Sequence, residues 1–276
     1  MNLGPTTKAP FAKRQHFAPA DIALGTLTAL LFVYLYLPIF VVLILSFNNS
    51  ELGAFPLRGF TLRWYVQVFH NEQVIEGLRN SIGVGLVVVA ITIPLGLMFA
   101  YVLTRQARGT VAAILAGVIT APMQAPRIIL AVLLLLLFSL IGVRTNLVTV
   151  TLSHVVLTLP FATLIIAARF RNIDRSLEEA ASDLGASRWQ IWTLILLPML
   201  APAVMAAGLI AFTISFDEMV VSFFTIGTQS TLPIVIWGML AQGYTQELNA
   251  LGALIVTSTL AVIVVAQSLR RKERLA

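Results

Sequence analysis

"EEAASDLGASRWQIWTLILLPM", residues 178–199, changes character along its length: three acids stand in its first six residues, and its second half is apolar. Ser176 lies three residues before Glu179. That is the spacing of a capping box, in which a hydroxyl and a carboxylate satisfy the free N–H groups at a helix start. The spacing predicts a short helix over residues 177–184. Gly185 follows, the residue type best suited to a left-handed helix stop. Ser187 then stands three before Gln190, a second capping box. The stretch therefore specifies a short helix, a sharp corner, and a new helix that continues into an apolar span. A rod of about eight residues is only ~12 Å long and is not stable alone in water, so it must pack on something. Ala180, Ala181 and Leu184 provide a small apolar face, and Glu178, Glu179 and Asp183 keep the remainder polar. The expectation is a rod parallel to a membrane, offered to a cytoplasmic protein.

The rest of the chain supplies the membrane. Hydrophobic residues make up 58% of the 276 and charged residues 11%, against about a quarter charged in soluble domains. The apolar residues gather in runs long enough to cross a bilayer as helices. Six spans are predicted: residues 22–47, 78–103, 111–141, 147–168, 189–216 and 249–269, in an all-α polytopic fold. A cytoplasmic tail over 1–21 and another over 270–276 flank them. The third span is too long for one straight crossing and contains Pro122 and Pro126, so a kink, a break or a stretch outside lipid is expected there. The first span follows Lys13, Arg14 and His16 but is too long for a signal-peptide core, so it reads as an uncleaved helix. Gly96 and Ala100 have the small-xxx-small spacing of packed membrane helices.

Lys and Arg set the orientation. One set of segments holds Lys8, Lys13, Arg14, Arg105, Arg108, Arg169, Arg171, Arg175, Arg188, Arg270, Arg271, Lys272 and Arg274; the alternate set holds Arg58, Arg63, Arg79 and Arg144. Both termini and residues 169–188 are thus expected on the cytoplasmic side. The net charge of +6 belongs to topology, and no nucleic-acid partner is implied. On the outer side, "GFTLRWYVQVF" at 59–69 suits a membrane-surface helix, and "TLPIVIWGML" at 231–240 is apolar but too short to cross. There are no cysteines, so disulfide and thiol chemistry are excluded.

The pattern E-A-A, three residues, G, nine residues, I-x-L-P is present without a gap as Glu179-Ala180-Ala181, Gly185 and Ile195-Leu196-Leu197-Pro198. It resembles the cytoplasmic loop of ABC importer permeases, the membrane subunits of binding-protein-dependent uptake systems. "GFTLRWY" at 59–65, "ARFRNIDRSLEEAASDLGAS" at 168–187 and "SFDEMVVSFFTIG" at 215–227 extend the likeness to the polyamine-type permeases of the spermidine/putrescine class. The resemblance implies a type I ABC importer permease fold in a bacterial cytoplasmic membrane. Its coupling helix lies between spans 4 and 5, in the loop over 169–188. Glu179, Ala180, Ala181, Asp183, Leu184 and Gly185 would meet the ATPase. It also implies a pair of ATP-binding subunits that carry the ATP and magnesium, a second permease chain, an extracytoplasmic solute-binding protein and a small-molecule substrate. The chain itself would bind no cofactor or metal, and it contains no G-x-x-x-x-G-K-[ST] phosphate loop.

Several residues carry two readings. Glu179 is a helix cap alone, or a cap that also touches the ATPase. Pro198 and Pro202 kink the fifth span or serve as its hinge. Asp217 and Glu218 are solvated loop acids, or they line the outer mouth and attract a cationic amine. His154, within the fourth span, reads as buried and hydrogen-bonded. Arg127 stands alone as a charge in the interior of a span, where such residues usually face a cavity or a partner. Either it bonds carbonyls freed by the prolines, or it lines the pathway and meets an anionic group of the substrate or an acid of the partner permease. Polyamine-type permeases tend to carry an acid after the corresponding proline. The arginine in "APRII" therefore leaves open an amino-acid-like or anionic solute. An ion-coupled secondary transporter is the reading from another class, but no internal repeat supports it.

Overall fold

The computed structural model describes residues 19–50, 55–243 and 245–273, with side chains described within residues 23–261. The expected amino-terminal tail lies almost wholly outside these residues, and the expected carboxy-terminal tail is helical as far as Glu273. The described elements, in order, are helices α1 (Pro19–Leu45), α2 (Arg63–His70), α3 (Glu72–Tyr101), α4 (Gly109–Gln124), α5 (Arg127–Leu140), α6 (Leu147–Arg171), α7 (Ser176–Asp183), α8 (Arg188–Gln190), α9 (Leu197–Phe216), α10 (Val220–Thr225), α11 (Leu232–Gln242) and α12 (Thr245–Glu273). Two π-helical turns, Val102–Gln106 and Ile191–Leu196, follow α3 and α8. No strand occurs among the described residues; Asn48 and Phe60 form an isolated bridge.

The protein is all-α and polytopic. Four described helices are long and apolar enough to cross a membrane: α1, α3 with its π turn, α6, and the rod Arg188–Phe216. The third expected span is a broken pair, α4 and α5, bent by 105°. Counting that pair once gives five crossings. The sixth expected span coincides with α12, whose side chains are described only in part.

The break in the third span has a local cause. Proline disfavours the helical conformation in the residue before it, and Ala125, which precedes Pro126, is extended at φ −74°, ψ 134°. The helix therefore stops at Gln124 and restarts at Arg127. Pro122, by contrast, stays inside α4. The fifth span remains one rod despite Pro198 and Pro202. The π turn at Ile191–Leu196 lies just ahead of Pro198 and takes up the mismatch that a proline ring and its missing N–H create in a helix.

The chain divides into two compact units. In the first, residues 1–64 and 249–276, α1 exposes its apolar side chains almost all round from Leu24 to Phe40. The turn after it is held by Asn48, whose Oδ1 accepts the Arg58 N–H at 2.8 Å and whose carbonyl accepts the Trp64 indole N–H at 2.9 Å. In the second unit, residues 65–248, α6 is the central helix and packs against α3 and α9. Most of its side chains are buried, including Val150, His154, Thr158, Ala162, Ile166 and Phe170. Small residues permit the close approach. A Cβ at Gly96 of α3 would lie 3.2 Å from the Ala162 Cβ, and Ala100 is fully buried one turn on. The Thr92 and Thr158 hydroxyls bond across the same interface at 2.9 Å. α5 packs on α10 through Ala131, Leu134, Phe138 and Val221, in a cluster that also takes in Leu157 of α6.

Candidate functional site

The corner expected from residues 178–190 is present, with one change at its start. Gly185 has φ +85°, the left-handed conformation that L side chains rarely adopt. Ser187 and Gln190 form a reciprocal capping box: the Ser187 N–H donates to Gln190 Oε1 at 2.8 Å and the Gln190 N–H donates to Ser187 Oγ at 3.3 Å. The capping box expected at Ser176 and Glu179 is not formed. α7 begins at Ser176 itself, and Arg175 occupies the N-cap position without a side-chain bond. Asp174 takes over, its Oδ1 accepting the Ser176 N–H at 2.9 Å. An aspartate two residues ahead of a free N–H competes for that donor. The bond from the Ser176 backbone holds the exposed Asp174 carboxyl below its ordinary value.

The faces of α7 also differ from the expected division. Ala181 turns inward and packs against the core formed by Ile166, Phe170, Ile173 and Ile191, together with Trp192. Leu177, Ala180 and Leu184, at helical spacing i, i+3, i+7, face outward with Asp183; Leu184 is 89% exposed, and Trp189 beyond the corner is 76% exposed. Glu179 is exposed and pairs with Arg175 one turn back, at 3.3 Å. Glu178 has the structural part that sequence did not assign. It meets Arg105 of the first π turn at 2.8 Å, and Arg105 also donates to the Ile173 carbonyl at 2.8 Å. This ion pair ties α7 to the end of α3. Tyr101, Phe170 and Trp192, with ring centroids 5.1–6.0 Å apart, fill the space beneath. Arg105 and Glu178 are 73 positions apart in sequence, and no local pattern links them.

The pathway candidates fall in a second place. Arg127 is the first residue of α5, immediately after the break, and its Nη1 donates to Glu218 Oε2. Its partner is thus an acid of the same chain, an alternative to the substrate, partner-chain and carbonyl readings. Glu218 is buried, so it is not a solvated loop acid, whereas Asp217 is the C-cap of α9 and less enclosed. His154 is 1% exposed and bonds the Ser215 and Ser222 hydroxyls, each at 2.9 Å. The Ser222 hydroxyl donates to the Glu218 carbonyl at 2.7 Å. Its oxygen therefore accepts from His154 Nε2, which leaves Nδ1 for Ser215.

Residues 92–272 match the family model described as the binding-protein-dependent transport system inner membrane component. The chain is 35% identical over 243 residues to the spermidine/putrescine transport system permease protein PotC of Haemophilus influenzae, covering 87% of this chain and 93% of that one. It is 33% identical over 232 residues to the putrescine transport system permease protein PotI of Escherichia coli (strain K12), covering 82% of each. Its fold is similar to that of a chain in the bacterial alginate ABC transporter bound to an alginate pentasaccharide-bound periplasmic protein, with a TM-score of 0.69 at 18% identity over 93% of this chain and 94% of that one.

Proposed function

The chain belongs to the family of binding-protein-dependent transport system inner membrane components, and from that premise we propose that α7 is where an ATP-hydrolysing partner drives it. The chain is a permease subunit of an ABC importer and a multi-pass membrane protein. The single observation that carries the coupling reading is the outward face of the corner. Leu177, Leu184 and Trp189 are large apolar side chains exposed beside Asp183 and Glu179. Such a face on a short, braced rod favours a covering protein over water. Glu179, Ala180, Asp183 and Leu184 then supply contacts, while Ala181 and Gly185 seat and turn the rod. The positive-residue count supports a cytoplasmic side for both termini and for the corner. Pro198 and Pro202, just beyond the π turn, are the proposed hinge through which movement of the corner reaches the membrane.

The remaining parts follow from the family reading. ATP and magnesium are held by a pair of ATP-binding subunits, and a second, different permease chain completes the pathway. An extracytoplasmic binding protein, of the kind named for the alginate transporter, delivers the solute. The substrate is a polyamine or similar small amine, by likeness to PotC and PotI. Arg127 motivates the second reading, an amino-acid-like or anionic solute, but its bond to Glu218 gives the guanidinium a counter-ion already and weakens that case.

The test is co-expression with the ATPase and second permease, followed by reconstitution. Leu184→Glu is expected to lower ATPase co-purification and binding-protein-stimulated hydrolysis while the chain still inserts. An unchanged complex would remove α7 as the contact. Uptake of labelled putrescine and spermidine, with an amino acid as comparison, decides the substrate class.

A further inference from the structure

We infer that Arg127 and Glu218 are a single positioning unit that fastens the second half of the broken span to α10, and that neither charge is offered to the substrate. Glu218 uses both carboxylate oxygens within the chain. Oε1 accepts the Val221 N–H at 3.1 Å and so caps the first turn of α10; Oε2 accepts from Arg127. One buried side chain therefore joins the end of α9, the start of α10 and the start of α5. The Glu218 carbonyl extends the connection through Ser222 to His154 of α6 and back to Ser215 of α9. Below this polar knot, Ala131, Leu134 and Phe138 of α5 pack on Val221, Val220 and Phe224 of α10. The knot and the apolar contact together make α5 and α10 one body.

The charges explain why both residues are required. The side chain of Glu218 is 5% exposed and that of Arg127 47%. A lone carboxylate so buried is costly, and the guanidinium of the half-exposed Arg127 is its counter-ion. Removing one partner leaves the other uncompensated, whereas replacing both by neutral groups is often tolerated. The break at Ala125–Pro126 detaches α5 from the register of α4, and the Glu218 bond holds its first residue where the apolar contacts with α10 and Leu157 begin.

The inference is independent of the substrate's identity, and its first readout is independent of the coupling reading. Arg127→Met and Glu218→Gln, alone and combined, are compared for monodisperse yield and thermal unfolding midpoint within the assembled transporter. Arg127→Met, which strands the buried Glu218 carboxylate, is expected to lose roughly tenfold or more in yield, and Glu218→Gln, which leaves the half-exposed Arg127 without its counter-ion, is expected to lose less. The double variant, in which the side-chain amide oxygen at position 218 can still accept the Val221 N–H, is expected to recover to within about threefold of wild type. Arg127→Lys keeps the charge but replaces the rigid planar head by a flexible ammonium that places the counter-ion differently; it is expected to assemble normally, with uptake kcat reduced and KM unchanged. A double variant no better than the worse single one, or single variants with normal yield, would overturn the inference. So would a raised KM in Arg127→Lys, which would make the side chain a substrate contact.

Discussion

Gly185 is the residue at which the local sequence and the backbone agree most closely. Its φ of +85° admits glycine freely, and nothing lies within 4 Å of the point where a Cβ would stand, so the barrier to substitution is conformational and not steric. Gly185→Val is expected to cost on the order of 1–3 kcal/mol of local strain and to misdirect the corner. ATPase co-purification and binding-protein-stimulated hydrolysis should both fall while membrane insertion is retained; wild-type values for both would refute a role for the left-handed corner. Asp174 shows where a local pattern misled. Ser176 and Glu179 have capping-box spacing, but the carboxylate two residues before Ser176 reaches its N–H first. Because the folded carboxyl lies below its ordinary value, its stabilising contribution is present above the ordinary carboxylate range. It is lost as pH falls through the lowered folded value. Asp174→Asn, which keeps an acceptor but cannot titrate, should remove that acid-side loss. Proteolytic nicking of the loop as a function of pH measures it, and the same pH dependence in both proteins would refute the assignment.

Among the elements, the α3–α6 interface depends on small residues, and the broken span depends on a proline. Gly96→Leu should overpack the contact with Ala162 and Thr163, where even a Cβ comes within 3.2–3.5 Å. Overpacking typically costs about 1–3 kcal/mol. The thermal unfolding midpoint should fall relative to Gly117→Leu, made at a helical glycine with nothing within 4 Å; equal midpoints would contradict the packing account. Small-xxx-small spacing flagged Gly96 and Ala100 but could not name Ala162 as the partner. Likewise, two prolines announced a disturbed third span, but not which one would end the helix. Pro126 does so because Ala125 is forced extended, while the missing N–H of Pro122 is accommodated inside α4.

At the scale of the whole molecule, the alternation of Lys and Arg predicts opposite sides for the corner and the loop before α11. Thr228 is exposed and Ser182 lies on the surface rod α7, and the chain has no native thiol. Single cysteines at these positions should react with a membrane-impermeant maleimide from opposite faces of sealed vesicles. Labelling of both from one face would refute the proposed orientation.

Composition, apolar run length, Gly185 and the Ser187–Gln190 spacing alone determined that this is an all-helical membrane protein with a sharp corner between its fourth and fifth expected spans. Those signals are local: a bilayer selects apolar runs of a given length, and a cap or left-handed stop involves residues within a few positions of one another. Tertiary structure alone decided the partners. Arg105 meets Glu178, Arg127 meets Glu218, His154 meets Ser215 and Ser222, and Gly96 meets Ala162. Each pair joins helices far apart in sequence. Which charge neutralises which, and which face of α7 is left exposed, depends on how the helices pack, and no periodicity within one helix encodes that.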